Sequence, residues 1–276
     1  MVQITAAEVS KLRKTTGAGM MDCKKALQEA NGDFEKAIEI IRKKGQAIAN
    51  KRADREAGEG VVLAKVSSDS TRGAMVALNC ETDFVARNED FIHFAQTILD
   101  IAIDKNPSSL EELKKLQING VTIADEIINK TGIIGEKLEL SYFDRIEALK
   151  VISYIHPGNK LATLVGLSLK NVEKQVGKDI AMQVAAMNPK AIDRDDVKQE
   201  TIDKEIEIGK EQARREGKPE NLLDKIALGK LGKFFKESTL MNQAFIKDNK
   251  KSIKQYLKET DPNLTVTDFK RYSLRD

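Results

Sequence analysis

The stretch Asn79-Cys80-Glu81-Thr82-Asp83-Phe84-Val85-Ala86-Arg87-Asn88 sets a carboxylate, Asp83, beside a large apolar ring, Phe84. It follows an apolar run, Ala74 to Leu78, that reads as a strand, and it precedes a helical pattern that starts near Glu89. An acid next to an exposed ring on a rigid turn suits insertion into another molecule. Composition alone favours the opposite, a phenylalanine folded back into the core. Other chemistry-bearing residues are sparse. The two histidines, His93 and His156, and the two cysteines, Cys23 and Cys80, show no metal-ligand spacing. Gly17-Ala18-Gly19 lacks the third glycine of a dinucleotide fingerprint and follows a helix rather than a strand. There is no phosphate-binding loop and no nucleophile elbow. The carboxylates are spread along charged helical faces. Nothing here recommends an enzyme, and no cofactor is expected. Met20-Met21, beside the glycine turn, can form an adaptable contact surface, although a methionine more often fills a core.

The elements that must position these residues come from a chain of 276 residues, 41% hydrophobic and 32% charged, with material for two or three compact units. A net charge of +3 argues against a protein built mainly to coat nucleic acid. Free cysteines fit a reducing compartment. Residues 1–20 carry Glu8, Lys11, Arg13 and Lys14 where a signal peptide needs an apolar core. No apolar run approaches the ~20 residues of a membrane span. The expected setting is the cytoplasm.

Three short amphipathic helices open the chain. Thr5 and Glu8 have capping-box spacing, flanked by Ile4 and Val9 as a staple. Val9, Leu12 and Thr16 form one face, and Gly17 stops the helix. Cys23, Ala26, Leu27 and Ala30 make the second face, ended by Asn31-Gly32. Asp33 caps a third helix with Phe34, Ala37, Ile38 and Ile41 inward. Residues 42–55 hold six basic residues against one acid and read as a solvated linker more than a phosphate-binding run. Val62, Ala64 and Val66 alternate, and 61–80 reads as a hairpin. Asn88 caps a helix with Phe91, Phe94, Ala95, Ile98, Leu99 and Ala102 inward, His93 lying toward solvent. Helical patterns follow at 109–116 and 122–131, and Ile133-Ile134-Gly135-Glu136 leads into strands. Leu138 to Tyr142, Leu149 to Ile155 and Leu161 to Leu169 alternate, with His156 at the tip of the second hairpin. A helix over 172–187 precedes a charged, protruding helical hairpin broken at Gly217-Lys218-Pro219. A short extended segment at Phe245-Ile246, a helix around Ile253 to Leu257 and a strand from Leu264 close the chain.

Two blocks carry a family likeness. Thr15-Thr16-Gly17-Ala18-Gly19-Met20-Met21-Asp22-Cys23-Lys24-Lys25-Ala26-Leu27 resembles the N-terminal signature of the bacterial translation elongation factor Ts family. Asn79 to Ala86 resembles its second signature. The order and separation match, as do Ser153-Tyr154-Ile155-His156, the charged helical pair and Lys233-Phe234, so the likeness covers essentially the whole chain. It implies an α+β fold: a three-helix ubiquitin-associated-like bundle and basic linker (1–55), a two-subdomain core of antiparallel sheets with helices (56–147, then 148–190 and 230–276), and an inserted helical hairpin (191–229). It also implies a guanine-nucleotide exchange factor, not an enzyme. Such a factor binds elongation factor Tu in its GDP-bound and nucleotide-free forms, displaces magnesium and promotes GDP release during translation elongation. By position, Thr82, Asp83, Phe84 and Val85 are the segment that dislodges the GTPase's magnesium. Arg13, Met20, Met21, Ile134, Gly135, His156 and the region from Ser238 are partner contacts. The likeness implies no direct nucleic-acid or membrane partner. The hairpin is free to form a homodimer, mediate other contacts, or do neither. Pro157 stands where the family often has glycine. Some members carry a further C-terminal helical module, and the likeness implies that this sequence, read to Asp276, lacks it. The competing expectation is a binding module without exchange activity, in which the bundle and basic linker hold a protein or nucleic acid.

Overall fold

The structure, a computed structural model, describes residues 3–275 and is built of helices and small sheets in two compact units, Met1–Val61 with Val76–Phe143 and Val62–Met75 with Asp144–Asp276.

The first unit opens with α1 (Ala6–Thr16), α2 (Met20–Glu29) and α3 (Phe34–Arg52). The local signals act as expected. Thr5 and Glu8 form the capping box, Gly17 ends α1 at φ 73°, and Asp33 accepts from the Lys36 amide at 3.1 Å. Val9, Leu12, Cys23, Ala26, Leu27 and Ala37 form the bundle's core, with Ile4, Phe34, Ile38 and Ile41 packed on it. The stretch 42–52 is helix, not linker. No proline or exposed glycine breaks it, and Gly45 is buried against α7 (Ile123–Ile134). At that crossing a Cβ on Gly132 would lie 2.3 Å from the Gly45 Cα, so α7 needs glycine there for the two helices to approach so closely.

Strands β1 (Glu59–Val66), β2 (Arg72–Cys80) and β5 (Glu139–Glu147) form a three-stranded sheet in the order β1-β2-β5. Gly60 to Ala64 are all buried, as are Gly73 to Cys80, so these segments are covered on both faces and the expected alternation is absent. Between β2 and β5 come α4 (Asp83–Ala86), α5 (Glu89–Lys105), α6 (Leu110–Lys115), the short pair β3 (Gln117–Ile118) and β4 (Val121–Thr122), and α7. Asn119-Gly120 turns that pair with both φ angles positive, a hairpin signal the apolar pattern obscured. Ile133 and Ile134 do not begin a strand. They complete the last turn of α7, which Gly135 ends at φ 80°.

In the second unit β7 (Leu161–Leu167) lies between β6 (Lys150–Ile155) and β10 (Val266–Ser273), antiparallel to both. Leu149 falls outside β6 and is 60% exposed. Helix α8 (Lys174–Met187) packs on this sheet through Val176, Ile180 and Val184. The pair β8 (Ala244–Phe245) and β9 (Asp248–Ser252) leads to α11 (Ile253–Thr260), whose Ile253 and Leu257 close the same core. Burial raises the cost of ionising Asp179, but Lys247, Gln175 and Tyr256 all donate to it and hold its carboxyl below the ordinary range. The helical hairpin is α9 (Gln199–Arg215) against α10 (Leu223–Ser238). Gly209 meets Ala227, where a Cβ would lie 3.1 Å from the Ala227 Cα, and Arg214–Glu220 and Lys210–Asp224 pair at 2.9 and 3.0 Å.

Candidate functional site

The notable stretch is a four-residue helix rather than an open turn. Thr82 is its N-cap, with Oγ1 accepting from the Val85 amide at 3.4 Å. Asp83 stands at the first helical position, where the helix dipole favours an acid, and pairs with Arg87 at 3.0 Å. Asn88 closes α4 by donating its amide to the Val85 carbonyl. Its Oδ1 then accepts from the Asp90 and Phe91 amides at 2.9 and 3.4 Å, opening α5. Ala86 faces the core, and this orientation turns Phe84 outward. The ring is 83% exposed, which overturns the composition-based expectation that it folds inward.

The helix is tied to its surroundings by two carboxylates that sequence reasoning missed. Glu136, just past the Gly135 cap of α7, accepts from the Thr82 amide at 3.0 Å and from the Thr82 hydroxyl at 2.7 Å. Glu81 accepts from the Lys137 amide at 2.7 Å and from Arg52 Nη1 at 2.7 and 2.9 Å. The Lys137 amide chiefly, helped by Arg52 and opposed by burial, holds the Glu81 carboxyl below its ordinary range. Lys137 Nζ in turn donates to the Ala53 and Arg55 carbonyls at 2.9 and 3.0 Å. Upstream, Asn79 donates to the Ala57 carbonyl, and Cys80 Sγ donates to the Thr82 carbonyl at 3.1 Å. In the sequence Glu136 stands out only as the end of Ile133-Ile134-Gly135-Glu136, a stretch that reads as a lead into strands. Nothing local marks its partner, 54 positions away.

Three expected site residues come together here. Phe84, Val85 and Ile134 line one cavity of about 420 Å³, with Phe91, Phe94 and Ile133 as apolar walls and Lys130 and Asp90 as polar ones. Lys130 Nζ lies 5.7 Å from the Phe94 ring centroid. Ile134 is 36% exposed, and a Cβ built on Gly135 would meet open space. In the bundle, Met20 and Met21 begin α2 at 57% and 64% exposure, so neither fills the core. Arg13 is exposed in the last turn of α1, where a cation also suits the helix dipole.

Two expected residues belong to the second unit. His156 is exposed at the β6–β7 tip, its amide donating to the Leu161 carbonyl at 2.8 Å. Tyr154 Oη lies 3.0 Å from its Nδ1, and the two rings meet edge-on at 6.1 Å. Gly158 and Asn159 take the positive φ values the tip requires, 91° and 56°. Ser238 is half-buried at the end of α10, and its carbonyl accepts from the Lys190 amide at 2.7 Å. Among the described residues, no group of three or more His, Cys, Asp or Glu side chains could hold a metal ion, and no helix is long and apolar enough to cross a membrane.

This arrangement presents Phe84, Met20, Met21 and Arg13 outward. A family model described as Elongation factor TS matches residues 81–276. The chain is 56% identical over 276 residues to a protein named elongation factor Ts from Christiangramia forsetii, covering 99% of this chain and 100% of that one. A protein of the same name from Porphyromonas gingivalis is 54% identical over 273 residues, 98% of each chain. One from Chloroherpeton thalassium is 47% identical over 286 residues, 99% of each.

Proposed function

Because the chain belongs to the elongation factor Ts family, we propose that it is a guanine-nucleotide exchange factor for elongation factor Tu in translation elongation, acting in the cytoplasm. The observation that carries this reading is the outward Phe84 on a four-residue helix anchored at its cap. Such a feature has no evident use inside the molecule and is ready for a pocket in another.

Exchange needs no bond-making. A factor that binds the nucleotide-free GTPase more tightly than the GDP-bound one weakens nucleotide by the same factor, by reciprocity. In a GTPase, magnesium bridges the phosphates and a phosphate-loop hydroxyl, so disturbing its surroundings removes much of the hold on GDP. In this reading Thr82, Asp83, Phe84 and Val85 dislodge that ion. Phe84 enters the partner, while Asp83, paired with Arg87, orders the helix rather than ligating the metal. Ile134 and Gly135 border the same surface. Arg13, Met20 and Met21, on a bundle of ubiquitin-associated type, touch the GTPase domain. His156 acts as a second wedge near the nucleotide, and the region from Ser238 reaches the partner's other domains. The hairpin α9–α10, with Ile208 and Leu228 exposed, is the surface a second copy would use.

The test is release of fluorescent GDP from elongation factor Tu with and without this protein. Acceleration by catalytic amounts is expected. An unchanged rate, with the complex formed, would leave only a binding module.

A further inference from the structure

A helix of four residues cannot hold its own direction, because forming the first turn costs more than one hydrogen bond returns. Helix α4 must therefore take its direction from its ends. At its C-terminal end, Ala86 is buried and Asn88 hands the chain to α5. At its N-terminal end, both donors of the cap residue, the Thr82 amide and hydroxyl, go to the two oxygens of one carboxylate, Glu136. That carboxylate follows directly on the αL cap of α7, a helix of twelve residues, so its position is inherited from a long element. The adjacent residues repeat the bond in reverse: the Lys137 amide donates to Glu81. Each loop thus supplies an acid for the other's backbone, a reciprocal latch between the start of α4 and the end of α7. The same latch joins the two segments that carry Phe84 and Ile134, which line one cavity.

We propose that Glu136 is a positioning residue for nucleotide exchange: its two-pronged grip on Thr82 sets the direction in which α4 presents Phe84. This rests on the exchange reading of the segment. Glu136 does not touch the GTPase in this scheme, so its loss acts through the ring. Carboxylate hydrogen bonds are the strong ones, and Glu136 makes two on one residue.

The test is a double-mutant cycle in GDP release from elongation factor Tu, with factor titrated to saturation. Glu136→Ala should lower the saturating release rate by roughly tenfold, with the half-saturating concentration moving by less than about threefold. Combined with Phe84→Ala it should add almost nothing, since a ring that is gone cannot be misdirected. Glu136→Gln keeps an oxygen for the Thr82 amide and offers an NH2 to the hydroxyl, so it should recover most of the rate. A wild-type rate for Glu136→Ala overturns the proposal. So does a double variant whose losses multiply, because that marks general destabilisation. Should Glu136→Ala fail to fold, Thr82→Val, which removes the hydroxyl prong together with the long cap bond from the Val85 amide, should slow release about threefold without compounding Phe84→Ala. A wild-type rate there overturns the proposal as well. A wild-type rate for Phe84→Ala instead overturns the exchange reading of the segment, which separates the two failures.

Discussion

Two glycines meet where α3 crosses α7, and alanine at each should act with opposite sign. A Cβ on residue 132 would lie 2.3 Å from the Gly45 Cα, 3.3 Å from its carbonyl carbon and 3.4 Å from its nitrogen. All three are backbone atoms of a helix, so no side chain can rotate away. Ordinary carbon contacts need about 3.5–4 Å, so α3 must retreat by roughly 1 Å or more. Overpacking of this kind costs about 1–3 kcal/mol. Three backbone contacts at once put the cost at about 2–2.5 kcal/mol within that range, and alanine returns about 0.5–1 kcal/mol as the better helix former, leaving Gly132→Ala destabilised by about 1–2 kcal/mol. A Cβ on residue 45 points elsewhere, with its nearest neighbours at 3.7, 3.7 and 3.9 Å. Gly45→Ala therefore keeps the propensity gain and should stabilise by about 0.5–1 kcal/mol. At roughly 2–4 °C per kcal/mol, the first unfolding transition should fall by about 2–8 °C in one variant and rise by about 1–4 °C in the other. Far-UV circular dichroism melts of the two variants beside wild type suffice. A Gly132→Ala melt at or above wild type refutes the reasoning, and so does a Gly45→Ala melt lowered as far as that of Gly132→Ala.

Three further outcomes are expected. Phe84→Ala should leave folding stability within about 0.5 kcal/mol, because the ring is 83% exposed. Burial of that ring in a partner is worth about 1.5–3 kcal/mol, so the same variant should slow GDP release from elongation factor Tu by tenfold or more; equal release rates would remove the wedge. His156→Ala, which deletes a tip side chain resting on Tyr154, should reduce exchange by less than Phe84→Ala, and a wild-type rate would show the tip to be passive. Glu81 titrates below its unfolded counterpart, so its contribution to stability is complete above the ordinary glutamate value of 4.5 and is lost as pH falls through the lower folded value. Glu81→Gln should therefore lower the melting temperature near neutral pH and flatten its decline below about pH 4.5; a parallel pair of curves would show that the carboxylate is not stabilising.

Much of the local architecture was legible because its causes are local. The Thr5–Glu8 box, the Asp33 and Asn88 caps and the Gly17 and Asn31-Gly32 stops each rest on side chains within a few positions of the backbone they satisfy. The bundle core and the inward face of α5 followed from spacing alone. The failures share a cause too. The helical stripe Ile41-Gly45-Ile48-Arg52 runs straight through the basic stretch, but Gly45 reads as a breaker until its partner Gly132 is known. Ile133-Ile134 looked like strand because branched residues favour sheets, whereas tertiary packing decided for helix. Phe84 was ambiguous for the same reason. Whether a ring faces in or out depends on the far side of the turn, here Ala86 facing the core and Glu136 gripping Thr82. The segment Thr82 to Val85 was visible as a motif, but Glu81 and Glu136, which tie its start to the end of α7, were not.

The unbroken α3 has a consequence for where the chain can be cut. Nineteen residues at about 1.5 Å each make a rod of roughly 28 Å. Its first half closes the bundle, its middle crosses α7 at Gly45, and its last residue reaches Glu81. No seam lies between bundle and core. A graft that carried the bundle away after Ile41 would leave it a frayed third helix. A truncation that began at residue 56 would uncover α7, and it would also remove Arg52 from Glu81 and the Ala53 and Arg55 carbonyls from Lys137. The loss of a distant domain would then be felt at Thr82, although none of the residues around Phe84 had been touched.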